Sequence, residues 1–231
     1  MILFGTIVNT VGVLGGSLIG LVIHKLLHRG IPTRYSERIM QGIGLCTIYI
    51  AASSLLDGSK ALVTVLSMVL GAVIGELLDL DGKITRIGQK LEGRFGGSGE
   101  GSFVQGFLSA TLLFCVGTMA ILGSLDAGLR NDHATLLAKS VMDTISACIF
   151  ASTLGLGVLF SAVPLFLYQG GITLLSSVVG PYLTEGVIAE MNTVGSLLLL
   201  GLSLDLLGIK KLKLMNYIPA IFLPILLYQF F

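Results

Sequence analysis

The chain has 231 residues, 54% of them hydrophobic and 12% charged, and a formal net charge of +1. A soluble domain carries about 25% charged residues, so this composition excludes a water-clothed globule. The balance of Lys and Arg against Asp and Glu excludes the basic surface that nucleic-acid binding requires.

A membrane-crossing helix needs about 20 mostly apolar residues to traverse about 30 Å of hydrocarbon. Such runs lie at 3–23, 39–56, 61–78, 103–124, 138–160, 161–180, 187–207 and 214–231. The expected fold is therefore all-α: one transmembrane domain over 1–231, a polytopic bundle of about eight spans. The first run is too long for a signal-peptide core. Its basic residues follow it, and no small-residue cleavage pattern closes it, so it reads as a retained helix. It carries Gly12, Gly16 and Gly20 on one face, and the third run carries Gly71 and Gly75. Small residues four apart let helices approach closely in lipid. These faces therefore serve tight packing, either within one chain or between copies in a homo-oligomer.

Along the second run, Met40-Gln-Gly-Ile-Gly44 through Lys60 matches Met191-Asn-Thr-Val-Gly195 through Lys211 in the spacing of Met, Gly and Lys. Spans two and seven cross in opposite senses, so this match predicts an inverted repeat of the kind found in secondary transporters. A rival match joins Asn9-Thr-Val-Gly12 to Asn192-Thr-Val-Gly195. Glu76 closes the third run and reads as interfacial. The segment 79–102 is the largest polar part. Ile84, Ile87 and Leu91 share one helical face among Lys83, Arg86, Lys90 and Arg94, which predicts a short amphipathic helix on the inner leaflet. A Gly/Ser linker follows it.

The fourth run contains Phe114-Cys-Val-Gly-Thr-Met-Ala-Ile-Leu-Gly-Ser124. Glycine weakens a helix by about 1 kcal/mol relative to Ala, so the stretch from Gly117 to Gly123 is either an unwound element or a close helix crossing. Irregular backbone survives in a membrane only where it is buried or lines a wet cavity. In the fifth run Lys139 and Asp143 stand four apart and share a face, with Ser140, Ser146 and Thr153 continuing the stripe, which is either a structural ion pair tethering the helix or a line of substrate or ion ligands. No full charge lies between Asp143 and Glu185. That length crosses about twice, with Pro164 expected at a turn or kink, although one crossing plus a re-entrant hairpin would reduce the count to seven. Pro219 and Pro224 should kink the last span.

Eleven of the fourteen basic residues fall on loops 24–38, 79–102 and 208–213, leaving Lys60, Arg130 and Lys139 elsewhere. By the positive-inside rule these loops are cytoplasmic and both termini are extracytoplasmic. Cys46, Cys115 and Cys148 lie in apolar helices without metal-ligand spacing and read as small packing residues. His24, His28 and His133 lie near loops with no nucleophile or metal motif beside them. No enzyme activity, metal or cofactor is expected.

The motifs Asn9-Thr-Val-Gly-Val-Leu-Gly-Gly16, Gly71-Ala-Val-Ile-Gly-Glu76, Phe114 to Ser124, Ala138-Lys-Ser-Val-Met-Asp143 and Asn216-Tyr-Ile-Pro-Ala220 resemble domain-of-unknown-function family 554, the YqgA-like proteins. The resemblance spans essentially the whole chain. It implies a bacterial inner-membrane protein of transporter type, with no settled substrate or mechanism to carry over.

Intramembrane polar groups are costly and usually functional. The expected function is a secondary transporter or channel for a small ion or metabolite. Its candidate ligands are Asp143, Lys139, Ser146, Gly117, Thr118, Met119 and Ser124, with Asn9 and Asn192 as further amides. The competing reading is an oligomeric scaffold or sensor, joined through the Gly12–Gly16–Gly20 or Gly71–Gly75 face.

Overall fold

The computed structural model describes residues 1–27, 33–95 and 102–231. Arg29, His28 and the Gly/Ser linker 96–101 lie outside the described residues. Within them the chain is helical, with no strands. The helices are α1 (Phe4–Leu27), α2 (Thr33–Ser54), α3 (Ala61–Leu77), α4 (Leu80–Phe95), α5 (Ser102–Cys115) and α6 (Thr118–Arg130). There follow α7 (Ala134–Leu154), α8 (Gly157–Phe160), α9 (Ala162–Leu174), α10 (Ser176–Val179), α11 (Glu185–Leu206) and α12 (Pro224–Leu227). A 3₁₀ helix, Leu214–Ile221, precedes α12.

Burial is inverted relative to a water-soluble protein. Val11, Leu18 and Val22 of α1, Val65, Val69 and Val73 of α3, and Val141, Ile145 and Ile149 of α7 are exposed, while Thr6, Asn9, Ser17, Thr64, Ser67 and Asp143 are buried. Water would penalise that surface, whereas lipid solvates it.

Four helical segments are long and apolar enough to cross a bilayer: Phe4–Leu26, Ala134–Leu154, Gly157–Leu174 and Glu185–Leu206. Two bent pairs, Ala61–Leu77 with Leu80–Ile87 and Phe103–Cys115 with Met119–Arg130, raise the number to six if each is one span. The expected eight is thus not reached among the described residues. Helix α2 opens on Arg34, Glu37 and Arg38, which shortens its apolar part. The last expected span is short, running only over Leu214–Leu227. Pro219 and Pro224 supply no N–H for an α-helical ladder, and the backbone tightens to 3₁₀ geometry around Pro219.

The charge-free stretch after Asp143 turns at Gly155, whose φ of +75° suits a residue without a Cβ. Pro164 makes no turn. It sits in the first turn of α9, where a missing N–H costs little.

Contacts group the chain into two compact units, Met1–Ser36 with Ile87–Pro181 and Glu37–Arg86 with Tyr182–Phe231, where the sequence reads as one continuous domain. In the first unit α1 and α7 run parallel, for Gly5 meets Leu136, Gly16 meets Ala147 and Gly20 meets Ala151. A methyl group on Gly12 or Gly16 would overlap Thr144, and one on Gly20 would overlap Cys148. In the second unit a methyl on Gly71 would overlap Ala220, and one on Gly75 would overlap Asn216. Both glycine faces are therefore packed against other parts of the same chain.

The second unit is built on α3 and α11, which also run parallel. The Lys60 backbone N–H donates to Glu190 near their starts, and both helices oppose the returning segment, through Gly71 with Ala220 and Gly201 with Leu214. At the far end, Asn216 Nδ2 donates to Glu76 (2.6 Å), Asn216 Oδ1 accepts from the Asp81 N–H (2.8 Å), and Lys213 lies 3.8 Å from Glu76. The basic residues of 83–86 and 210–213 are thus gathered at one end of that unit.

Candidate functional site

The first unit holds a polar knot inside apolar helices. Lys139 and Asp143 share a face of α7 and are 6% and 5% exposed. Lys139 Nζ stands 2.8 Å from each Asp143 carboxylate oxygen. Two charges so far from water persist only because each satisfies the other. At 1.5 Å per residue, Asp143 lies about 13 Å into α7, well beyond what an interfacial residue would occupy.

Two amides complete the knot. Asn9 Nδ2, from α1, donates to Asp143 Oδ2 at 3.0 Å and to Gln169 Oε1, from α9, at 3.2 Å. Asn9 and Gln169 are both fully buried. That leaves Asn9 Oδ1 an acceptor and Gln169 Nε2 a donor without a protein partner, and the buried hydroxyls of Thr6 and Thr173 on the same two helices are likewise unpartnered. A buried polar atom left unpaired costs free energy. Two of these atoms belong to the amides that are bound, directly or through Asn9, to Asp143.

A helix break adjoins the knot. Helix α5 runs antiparallel to α7, since Gly106 meets Leu154 and Val158 near its start, and Cys115 at its end lies within electrostatic reach of Lys139 and Asp143. The chain then leaves helical geometry at Val116–Gly117, with Gly117 at φ +120°, and restarts as α6 bent by 56°. Only glycine occupies that backbone region readily. The break is at Gly117 alone: Gly123 lies within α6, buried against Leu136 and Thr135.

The expected residues are thus divided. Asp143, Lys139 and Asn9 are in direct contact, and Gly117 forms the neighbouring break. Thr118 opens α6. Met119 is 39% exposed, a side chain turned to the outer surface. Ser124 is buried, but its hydroxyl is used on the Ala120 carbonyl at 2.6 Å. Ser146 is half-buried one turn beyond Asp143. Asn192 belongs to α11 in the second unit, where it is buried. Gln169 enters the knot through a contact that no sequence spacing reveals. Of the cysteines, Cys46 is exposed, while Cys115 and Cys148 are half-buried and none is in a disulfide.

A residue absent from the sequence expectations stands out in the second unit. Glu190 of α11 is 1% exposed. Its Oε1 accepts from the backbone N–H of Lys60 and its Oε2 from Thr64 Oγ1, both at 2.7 Å, and Thr193 Oγ1 accepts from the Gly58 N–H at 2.8 Å. Glu190 caps the start of α3, where partial positive charge favours an anion. Its signal in the sequence was an acidic residue well over a turn inside an apolar helix. It lies close to the polar pair Thr184-Glu185.

The family model described as Protein of unknown function (DUF554) matches residues 4–229. The chain is 31% identical over 226 residues to the "Uncharacterized membrane protein YdfK" of Bacillus subtilis (strain 168), covering 96% of this chain and 94% of that one. It is 30% identical over 223 residues to the "Uncharacterized protein YqgA" of Escherichia coli (strain K12), covering 95% and 93%. No solved structure matches.

Proposed function

We propose, for a chain that belongs to the DUF554 family of proteins of unknown function, that this membrane protein is a secondary transporter or channel moving a small ion or metabolite. The observation that carries the reading is the buried Lys139–Asp143–Asn9–Gln169 knot beside the Gly117 break. Discontinuous helices offer free backbone groups and half-helix dipoles to a solute, a recurring arrangement in transporters. Asp143 receives a cation or the cationic part of a solute, and Lys139 keeps the carboxylate neutralised between visits. The unpartnered oxygen of Asn9 and amino group of Gln169 give the solute an acceptor and a donor.

The membrane is the bacterial inner membrane. The basic residues of 25–38, 83–94 and 210–213 support an orientation with those segments cytoplasmic and both termini outside. A scaffold or sensor would need an oligomer face other than the two glycine ladders, since those are occupied within the chain.

The test is charge movement in proteoliposomes on a solid-supported membrane, across a panel of inorganic cations, amino acids and organic acids. A solute-dependent current reduced at least tenfold by Asp143→Asn is expected. Absence of current with every solute, or a current indifferent to Asp143→Asn, would remove the proposal.

A further inference from the structure

The cations at one end of the second unit are only partly neutralised by the protein itself. Arg86 of α4 pairs with Asp79, and Lys213 lies 3.8 Å from Glu76, which also accepts from Asn216. Lys83, Lys210 and Lys211 are exposed and take part in no ion pair among the described residues. The other carboxylates of these segments, Asp81 and Asp205, are half-buried. The bond from the Asp81 N–H to Asn216 seats the start of α4 against the returning segment. Lys83, just after Asp81, and Lys210 and Lys211, just before Lys213, therefore share this end of the unit.

The same end meets the edge of the hydrocarbon. Along α3 the exposed face runs through Leu62, Val65, Val69, Val73 and Leu77, and Leu77 is 81% exposed, so lipid tails reach the last turn of the helix. A bend of 56° then carries Leu80–Ile87 away from the line of α3, which leans α4 toward the membrane plane. Exposed Ile87 shares a face with exposed Lys83, four residues before it. In the loop after α11, exposed Ile209 and Leu212 are interleaved with Lys210, Lys211 and Lys213. Apolar side chains interleaved with lysines suit the headgroup layer, where stems lie among acyl chains and ammonium groups reach the phosphates. Other occupants fit worse. A second copy would bring the same positive charges, and a soluble anion would leave Leu77, Ile87 and Ile209 uncovered.

We infer that Lys83, Lys210 and Lys211 form a docking surface for the headgroups of anionic phospholipids, with Leu77, Ile87 and Ile209 covered by the adjoining acyl chains. Clusters of lysine at the end of a membrane helix attract anionic lipid through its phosphate charge. A zwitterionic headgroup presents a cation of its own to the lysines and is the poorer partner. The inference depends neither on transport activity nor on which leaflet holds this end.

The experiment is electron paramagnetic resonance of spin-labelled lipids in phosphatidylcholine vesicles that hold the full-length protein. The motionally restricted fraction of spin-labelled phosphatidylglycerol, set against that of spin-labelled phosphatidylcholine, measures the preference. The wild-type protein should favour phosphatidylglycerol about threefold, and the preference should vanish in about 1 M NaCl, where the Debye length is about 3 Å. The triple variant Lys83→Gln/Lys210→Gln/Lys211→Gln should lose it, whereas Lys60→Gln, at the opposite end of α3, should keep it. The three lysines make no ion pair among the described residues, and the single variants, each lowering the preference part of the way, serve if the triple variant is unstable. Equal restriction of the two lipids by the wild-type protein would overturn the inference, as would a preference kept in the triple variant. A preference lost equally in Lys60→Gln would overturn it by assigning the effect to net charge. Displacement of the labelled lipid by soluble glycerol phosphate would overturn it by assigning the surface to a free anion.

Discussion

Asp143 in the first unit and Glu190 in the second are both 5% exposed or less, and each sits on a helix that lipid must solvate. They are supported in different ways. Asp143 has a full counter-charge on its own helix, four residues away, and borrows an amide from α1. Glu190 has partial charges only, from a backbone N–H and a hydroxyl of another helix, while Lys60 is held on Tyr228. A carboxylate paired within one helix is neutral as soon as that helix forms. One supported across helices depends on the bundle that brings α3 and α11 together.

The comparison breaks first at Lys139. Lys139→Met strands a buried anion and should lower stability by about 3–5 kcal/mol, whereas the double variant Lys139→Met/Asp143→Leu should recover most of that loss. Thermal melts followed by circular dichroism in detergent measure both. A double variant as unstable as the single one would show that the pair is not the unit of stability.

Packing gives the next effect. Gly16→Ala places a methyl into the Thr144 carbonyl and should cost about 1–3 kcal/mol through forced separation of α1 and α7. Equal tolerance at Gly12, Gly16 and Gly20 would contradict the parallel α1–α7 contact.

Glu190→Gln should cost about 1–2 kcal/mol in the same melts, distinctly less than Lys139→Met. The carboxamide oxygen still accepts the Lys60 N–H, and no charge is stranded. A loss as large as that of Lys139→Met would erase the difference between the two carboxylates.

The smallest effect is opposite in sign. No atom lies within 4 Å of a Cβ built on Gly15, so Gly15→Ala should stabilise α1 by up to about 1 kcal/mol through helix propensity. Set beside Gly16→Ala, it separates propensity from packing at neighbouring positions.

Much of this molecule was legible in the chain. Apolar length gave helices and their solvent, because no other structure satisfies backbone groups in hydrocarbon. The Lys139–Asp143 pair followed from a spacing of four, since the helix itself fixes that contact. Backbone chemistry at single residues pointed to Pro219 and offered a break at Gly117 as one of two readings, beside a close helix crossing. Where several residues compete for one local role the reading was less sharp: the turn went to Gly155 rather than Pro164, and Gly123 stayed helical.

What required the tertiary structure were contacts between helices distant in sequence. Asn9 meets Asp143 across 134 positions and Gln169 across 160, and Glu190 meets Thr64 across 126. Composition determined that polar residues must find partners in lipid, because an unpaired polar group there has no water to turn to. It did not determine which partners, because that choice depends on which faces the folded bundle brings together. The same holds for the glycine ladders: their spacing announced a close approach, and only the packed helices decided that the approach is to α7 and to residues 216–220 of the same chain.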